Sequence, residues 1–350
     1  MRSYDIAAYG QPLKLFERPT PKPSGTEVLV RVRAAGVCHS DVHIWEGYFD
    51  LGGGKKLRME DRGMKLPHTL GHETVGEVAA LGPDASGVKV GVPYLVYPWI
   101  GCGVCEVCRI GEEQLCLTPR YLGIQRSGGY ADHIVVPHPC YLLDISDMRA
   151  SEAAPYACSG VTTYAALWKF GAALQEKPLV VIGAGGLGLM CLELHRAMGG
   201  RAAISVDIDP AKRDAALKAG AQAAIDGKAP DAVKQIKAAA GGPVWSVLDL
   251  VGSTATMQLG IDCLTRGGKI VVVGLFGGDI TLAIPLIPQR ALTIQGSYVG
   301  SLAELRDLLA LVRKQKVPPI PIRERPLDHA ATALEELRSG RVLGRTVLTP

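Results

Sequence analysis

The sequence predicts a two-domain α/β protein, with a β-rich part preceding a doubly wound parallel sheet. Three observations lead there. At 350 residues the chain exceeds the roughly 250–300 that a single hydrophobic core supports. Up to about residue 150 it reads as short alternating apolar runs punctuated by Gly and Pro. From about residue 155 it alternates buried-strand runs with Ala-rich helical stretches, the texture of a parallel sheet covered on both faces.

The elements follow in order. "EVLVRVRAAGV" and "YADHIVVPH" are strand patterns bounded by turn residues, which implies antiparallel pairing in the first part. "LVVIGAGGLGLMCLELHRAMG", "AAISVDID", "PAKRDAALKAGA", "VWSVLDLVG" and "GGKIVVVGLF" then supply strands and helices in alternation. The last segment reads as two helices, "SLAELRDLLALVRKQ" and "HAATALEELRSGR", and a closing strand "GRTVLTP".

Composition limits the function classes. Hydrophobic residues make up 47% and charged residues 21%, so the chain can fill a core and is not of a disordered type. The net charge is only +4 and no basic run exceeds two residues, which argues against nucleic acid as a partner. The N-terminus has no apolar secretory core. The most apolar stretch, residues 179–192, is too short and glycine-rich to cross a bilayer. The expectation is a soluble, cytoplasmic protein, in whose reducing surroundings clustered cysteines hold metal more often than disulfides.

Gly183, Gly185 and Gly188 form G-x-G-x-x-G between the apolar strand "PLVVI" and a helical run, with Gly186 and Leu187 completing the turn. Such glycines allow a tight turn and close approach of a pyrophosphate to the helix N-terminus, where free amides favour anions. Asp207 ends the next strand, 19 residues beyond Gly188. A carboxylate there accepts from the adenosine ribose and repels a 2′-phosphate, which favours NAD over NADP. Lys212 and Arg213 follow closely and leave the strictness of that choice open. The alternative is a purely structural strand–helix turn.

Cys102, Cys105, Cys108 and Cys116 fall within sixteen positions, "GCGVCEVCRIGEEQLC". Their spacing suits one tetrahedral Zn²⁺ whose shell four thiolates close, so the site staples a loop and leaves no position for substrate. An iron–sulfur cluster is the main rival. Other potential ligands are scattered: Cys38, Ser40, Asp41 and His43 in "GVCHSDVH", His72 and Glu73 in "LGHETVGEVAALG", Cys158 and Thr162 in "PYACSGVTTYAAL". Spacing alone does not join these fragments.

Resemblance joins them. "GHETVGEVAALGPDA" fits the G-H-E-x2-G-x5-G-x2-A pattern of zinc-containing alcohol dehydrogenases in the medium-chain dehydrogenase/reductase superfamily. The likeness runs in order along essentially the whole chain. It implies a Rossmann domain at 155–294 inserted into a GroES-like β-barrel catalytic domain made of 1–154 and 295–350. It implies two zinc ions per chain, a catalytic one on Cys38, His72 and Cys158 with an open fourth position and a structural one on the four-cysteine cluster. Two Cys and one His with a vacant fourth position form the catalytic ligand set typical of alcohol dehydrogenases. The family's polyol branch usually carries a carboxylate at the third position, so Cys158 points to an alcohol or aldehyde enzyme.

The resemblance also implies roles. Zinc acts as a Lewis acid on the substrate oxygen while hydride passes to NAD. Ser40 bonds the substrate oxygen and His43 relays its proton outward. Asp41 accepts from His72 and fixes its tautomer, with helix capping as the alternative for Asp41 and Ser40. Glu73 stands behind the zinc, Thr162 packs on the nicotinamide and Arg345 reaches the pyrophosphate. An exposed strand-edge charge is the other reading of Arg345. His39 reads as a surface residue.

Cys38 and His72 lie 34 positions apart, more than is usual in the family. The surplus, "YFDLGGGKKLRMEDRGMKLP", falls where relatives have the mouth of the substrate cleft. Its three glycines suggest a mobile tip, and Lys55, Lys56 and Arg58 either attract an anionic substrate or are simply solvated. Trp45 and Trp99 are expected to line an apolar pocket, which favours a hydrophobic or aromatic alcohol; core packing is the alternative. Cys140, Cys191 and Cys263 read as packing residues. Competing readings are a dehydrogenase of a larger specialised substrate (an acyl thioester or polyol) and a non-catalytic zinc- and nucleotide-binding sensor. A homodimer or homotetramer is expected, paired through the apolar "DITLAIPLIPQRALTIQGSY".

Overall fold

The computed structural model describes all 350 residues. Its parallel sheet contains six strands: Leu179–Ile182, Ala203–Asp207, Ala223–Asp226, Val244–Asp249, Leu264–Val272 and Thr293–Gly296. In chain order their arrangement is 3-2-1-4-5-6, and every neighbouring pair is parallel. The strand Leu179–Ile182 is buried along its whole length, which is why its sequence is an unbroken apolar run rather than an alternation. Strand order reverses beside it, between Leu179–Ile182 and Val244–Asp249, and such a reversal opens a crevice at the carboxyl ends of the strands. The helix Gly186–Ala197 starts in that crevice.

The second sheet draws on both ends of the chain. Val28–Gly36 pairs antiparallel with Glu73–Leu81, with His133–Val136 and with the C-terminal strand Arg345–Thr349. Pro93–Val96 and Leu142–Asp144 extend it on one side. Ile322–Pro326 closes the other, parallel to Arg345–Thr349. That edge strand has no apolar alternation (its sequence is IRERP) and is largely exposed, so the sequence pattern does not show it. The pairing of Val347 with Gly36 and Leu348 with Ala35 brings Arg345 beside Val37 and Cys38.

The surplus segment is an ordered hairpin rather than a loose loop. Tyr48–Asp50 pairs with Lys56–Arg58, and a 3-10 turn at Glu60–Arg62 follows. Gly52, Gly53 and Gly54 form its tip at φ of +78°, +57° and +76°, backbone that other residues adopt only at a cost. The tip rests on the parallel-sheet part: a methyl group added at Gly52 would lie 2.7 Å from the Gly278 carbonyl carbon. The hairpin therefore bridges the mouth of the crevice.

Candidate functional site

Cys38 follows the strand Val28–Gly36 and precedes the helix His39–Glu46. Asp41, in the first turn of that helix, accepts the Cys38 amide at 2.9 Å. His72 stands at the start of the strand Glu73–Leu81, after Gly71 at φ +97°. Cys158 lies between a 3-10 turn at Ala154–Ala157 and the helix Ser159–Trp168. The Cys38 and Cys158 sulfurs are 3.9 Å apart, and a ring nitrogen of His72 lies with both of them inside 4.8 Å.

All three side chains are buried. His72 Nδ1 pairs with Asp41 Oδ1 at 3.1 Å, which leaves Nε2 buried without a hydrogen-bond partner. An orphaned imidazole nitrogen beside two free thiols costs energy unless an electrophile takes up the lone pairs. The donor set fits Zn²⁺, and it supplies three ligands rather than four. Each thiol also shifts the other: the shared hydrogen bond holds Cys38 well below the usual thiol range and drives Cys158 up.

Glu73 is also buried, next to this group but outside the cavity wall. Its Oε1 meets Arg345 Nη2 at 3.0 Å and the Ser159 amide at 3.3 Å, while Oε2 has no partner. Burial pushes its carboxyl up to about 7, although the Arg345 charge pulls the other way. Arg345 is only 3% exposed and also donates to the Val37 carbonyl, so the reading as a strand-edge charge is corrected. Its guanidinium borders the glycine turn: a methyl group at Gly186 would come within 3.3 Å of its central carbon.

Cys38 and Cys158 lie on the wall of a cavity of about 730 Å³ in the crevice between the two sheets. Ser40, His43, Trp99 and Thr162 line it, and the Thr162 hydroxyl is buried without a partner. Burial, with His39 beside it, lowers His43 to about 4, so its imidazole is neutral near pH 7. The same cavity extends to Gly183, Gly185, Gly186, Leu187, Gly188, Asp207, Lys212 and Arg345. Asp207 Oδ2 accepts the Ala184 amide at 2.7 Å and so ties the second strand to the glycine turn. Arg213 turns away, donating to the Asp207 carbonyl and facing Asp226 at 3.6 Å, whereas Lys212 stays on the wall.

Two assignments are corrected. Trp45 does not reach the cavity: its indole donates to the Gln11 carbonyl at 2.6 Å and its ring packs under Arg338, on the far side of the helix His39–Glu46. His39 is not a surface residue; it lines the cavity and stacks on Phe276 at 4.8 Å. The basic hairpin residues Lys55, Lys56 and Arg58 are exposed and off the wall, with Lys56 seated over the Tyr48 ring at 3.6 Å. Phe49, Leu57, Arg62 and Phe276 line the cavity instead. Sequence reasoning missed them because the hairpin register and the loop after Leu264–Val272 decide which side chains face inward. The one available signal for Phe276 was its place just past the carboxyl end of a parallel strand.

The second cluster lies apart from the cavity. Sulfur separations are 3.4 Å for Cys105–Cys108, 3.8 Å for Cys105–Cys116 and 4.0 Å for Cys102–Cys108. Four thiols within 4.8 Å of one another are the closed ligand set of a structural zinc.

Residues 24–147 match the family model of the alcohol dehydrogenase GroES-like domain, and residues 186–314 that of the zinc-binding dehydrogenases. An NAD-dependent alcohol dehydrogenase of Sulfurisphaera tokodaii is 42% identical over the full length of both chains. A D-arabinose 1-dehydrogenase (NADP+) of Saccharolobus solfataricus is 30% identical over 99% of this chain and 96% of its own. The crystal structure of an alcohol dehydrogenase from Aeropyrum pernix superposes with a TM-score of 0.90 at 31% identity, each chain covered completely. With its fold, its two cysteine sites and its full-length identity in agreement, the chain belongs to the zinc-containing alcohol dehydrogenases of the medium-chain dehydrogenase/reductase superfamily.

Proposed function

We propose that the protein is a zinc-dependent, NAD-linked alcohol dehydrogenase. It interconverts primary or secondary alcohols with predominantly apolar bodies and their aldehydes or ketones. The observation that carries this reading is the convergence of Cys38, His72 and Cys158, two of them on the wall of a cavity that also holds the glycine turn and Asp207. When bound, zinc supplies Lewis acidity that makes an alcohol proton easy to lose near neutral pH, and NAD supplies the hydride acceptor.

The chain's own residues do the rest. Asp41 fixes the His72 ring so that Nε2 presents its lone pair to the metal position. Ser40, two positions after Cys38, takes the substrate hydroxyl proton in a hydrogen bond and passes it to His43. A histidine held neutral down to about pH 4 relays a proton instead of storing it. Thr162 offers its unpartnered hydroxyl to the nicotinamide. The Asp207 carboxylate and the amides of the Gly183–Gly188 turn hold the ribose and pyrophosphate, with Arg345 and Lys212 adding positive charge on that wall.

Residues 155–296 act as the nucleotide-binding domain and the segments before and after them as the catalytic domain. The boundary expected at 294/295 moves to Gly296 because Thr293–Gly296 pairs into the parallel sheet. Apolar exposure on the edge strand Thr293–Gly296, with Ile294 at 42%, and in the turn that precedes it, with Ile284 at 78%, supports pairing of two copies there. The apolar wall of Trp99, Phe49 and Leu57 supports hydrophobic or aromatic alcohols over polyols. The test is zinc quantification together with a panel of alcohols assayed for growth of reduced-nicotinamide absorbance. Two zinc ions per chain and alcohol-dependent reduction of NAD support the reading. Tight NADH binding with no turnover of any alcohol or aldehyde supports a sensor instead.

A further inference from the structure

We infer that Arg62 makes the far end of the cavity a receptor for alcohols and aldehydes whose apolar body ends in a carboxylate. The inference rests on the dehydrogenase reading and narrows its substrate class.

The cavity has two chemically different ends. One is the glycine turn with Asp207 and Lys212. The other is walled by Phe49, Leu57, Trp99 and Ile124, and Arg62 belongs to that end. It is the last residue of the 3-10 turn Glu60–Arg62, closed by Gly63 at φ +79°, whose amide bonds the Glu60 carbonyl at 2.9 Å. The guanidinium carbon lies 6.0 Å from the Phe49 ring centre, and Phe49 lies 4.9 Å from the His43 ring. Its charge is also felt at Tyr121, which packs edge-on to Trp99 at 5.4 Å. Trp99 in turn is 5.3 Å from the His72 ring. Arg62 thus stands one aromatic residue away from the relay histidine and two from the candidate metal ligands.

The other cations on this wall are engaged elsewhere. Arg338 pairs with Glu335 at 2.9 Å and approaches Glu46 at 3.9 Å. Arg345 pairs with Glu73, and Lys212 stands beside Asp207 at the opposite end. Arg62 is half-buried and takes part in no ion pair and no side-chain hydrogen bond, and its neighbours Glu60 and Asp61 face solvent. A guanidinium presents a planar fork of donors that matches a carboxylate with two parallel bonds, and partial desolvation strengthens such a pair. A neutral polyol gains little here, because the apolar walls leave most of its hydroxyls unpartnered. A chain-like hydroxy acid fits both features: methylenes against Phe49 and Leu57, carboxylate on Arg62, hydroxyl toward Ser40.

The test uses matched probes that differ only in the anionic group, ω-hydroxyhexanoate and n-hexanol, with the zinc- and NAD-loaded full chain. Arg62→Gln is expected to lower the ratio of kcat/KM for the acid over the alcohol by about tenfold, mainly through KM, and Arg62→Glu to lower it further. Titration calorimetry with hexanoate gives a readout without turnover, and Arg62→Gln is expected to weaken that affinity by about tenfold. An unchanged ratio together with equal hexanoate affinity overturns the role of Arg62. If the wild type binds hexanoate more tightly than Arg62→Gln but oxidises neither probe nor any other alcohol of the panel, the anion site stands. The dehydrogenase reading, and with it the assignment of the site to substrate, then falls.

Discussion

Tyr130 donates its hydroxyl to Asp41 Oδ2 at 3.1 Å, and both side chains are fully buried. The other oxygen of the same carboxylate holds His72 Nδ1, and Oδ2 also takes the Cys38 amide. One carboxylate thereby fixes two of the three candidate zinc ligands, and Tyr130 fixes the carboxylate. The tyrosine ring lies against Gly71, where an added methyl group would approach it to 2.5 Å. That contact, together with φ of +97°, accounts for glycine before His72. Removing such outer partners typically costs about 10–100-fold in metal affinity. Tyr130→Phe is expected to fall at the low end, near tenfold, and Asp41→Ala at the high end. Chelator competition on the zinc-loaded protein, counting the faster-exchanging ion, measures both; equal zinc retention in Tyr130→Phe and wild type contradicts the assignment.

The two cysteine sites have different expected phenotypes. Cys38→Ala should remove one zinc per chain and reduce turnover by several kcal/mol of barrier, roughly a thousandfold or more, with the fold intact. Cys105→Ser should remove the other zinc and lower thermal stability, because a closed structural site contributes folding energy directly. Elemental analysis with thermal melts of the two variants separates the roles. A Cys105→Ser protein that keeps its stability but loses activity reverses them.

How much of this is legible in the sequence follows from the range of the interactions. The glycine turn and its Asp207 can be read because strand, turn and helix are contiguous and their chemistry is local. Cys38, His72 and Cys158 can be joined only through resemblance, since 120 positions separate the two cysteines. The partnership of Arg345 with Glu73 depends on the C-terminal strand returning to pair with Val28–Gly36, and no local pattern encodes that. Trp45 is misread for a related reason. It shares a helix with His43 but points to the other side, and a helix of eight residues with a weak apolar stripe gives little warning of which side is which.

Gly52 tests whether the hairpin governs the cavity mouth. At φ +78°, with Gly278 and Asp279 backbone and side-chain atoms within 2.9 Å of an added methyl group, a side chain there both strains the tip and pushes it off the opposite loop. Gly52→Val is expected to raise KM for the alcohol several-fold and to increase proteolysis within residues 48–58. A Gly54→Val control carries a comparable φ of +76° but meets nothing within 4 Å, so it isolates backbone strain from lost contact. Equal effects of the two substitutions would show that docking on Gly278 is unimportant.

Asp207 is expected to set the choice of nucleotide. Asp207→Ser removes the charge facing the ribose and leaves Lys212 on the wall, so the preference for NAD over NADP should fall by about tenfold or more. The lost bond to the Ala184 amide loosens the glycine turn as well, which predicts a higher KM for both nucleotides beside the change in ratio. Steady-state assays with both cofactors distinguish a charge effect, which moves the ratio, from a structural one, which moves both constants together.

Acid stability should depend on His195. It is 3% exposed in the helix Gly186–Ala197, its Nε2 is without a partner, and burial lowers it from 6.5 to about 4. The unfolded chain therefore takes up this proton first as pH falls, so the stability associated with the neutral ring is complete above about pH 6.5 and is lost toward and through about pH 4. That difference amounts to roughly 3 kcal/mol at pH 4. His43 is lowered to about 4 as well and acts in the same window. His195→Leu, which keeps the site apolar, should make the decline shallower and leave the part due to His43 and to His39 and His68, which burial also lowers. Denaturant midpoints of both proteins between pH 7 and pH 4 measure it. Parallel curves would mean that His195 takes up its proton equally in the folded and unfolded chain, finding a partner on protonation, and the acid sensitivity would then have to arise elsewhere in the fold.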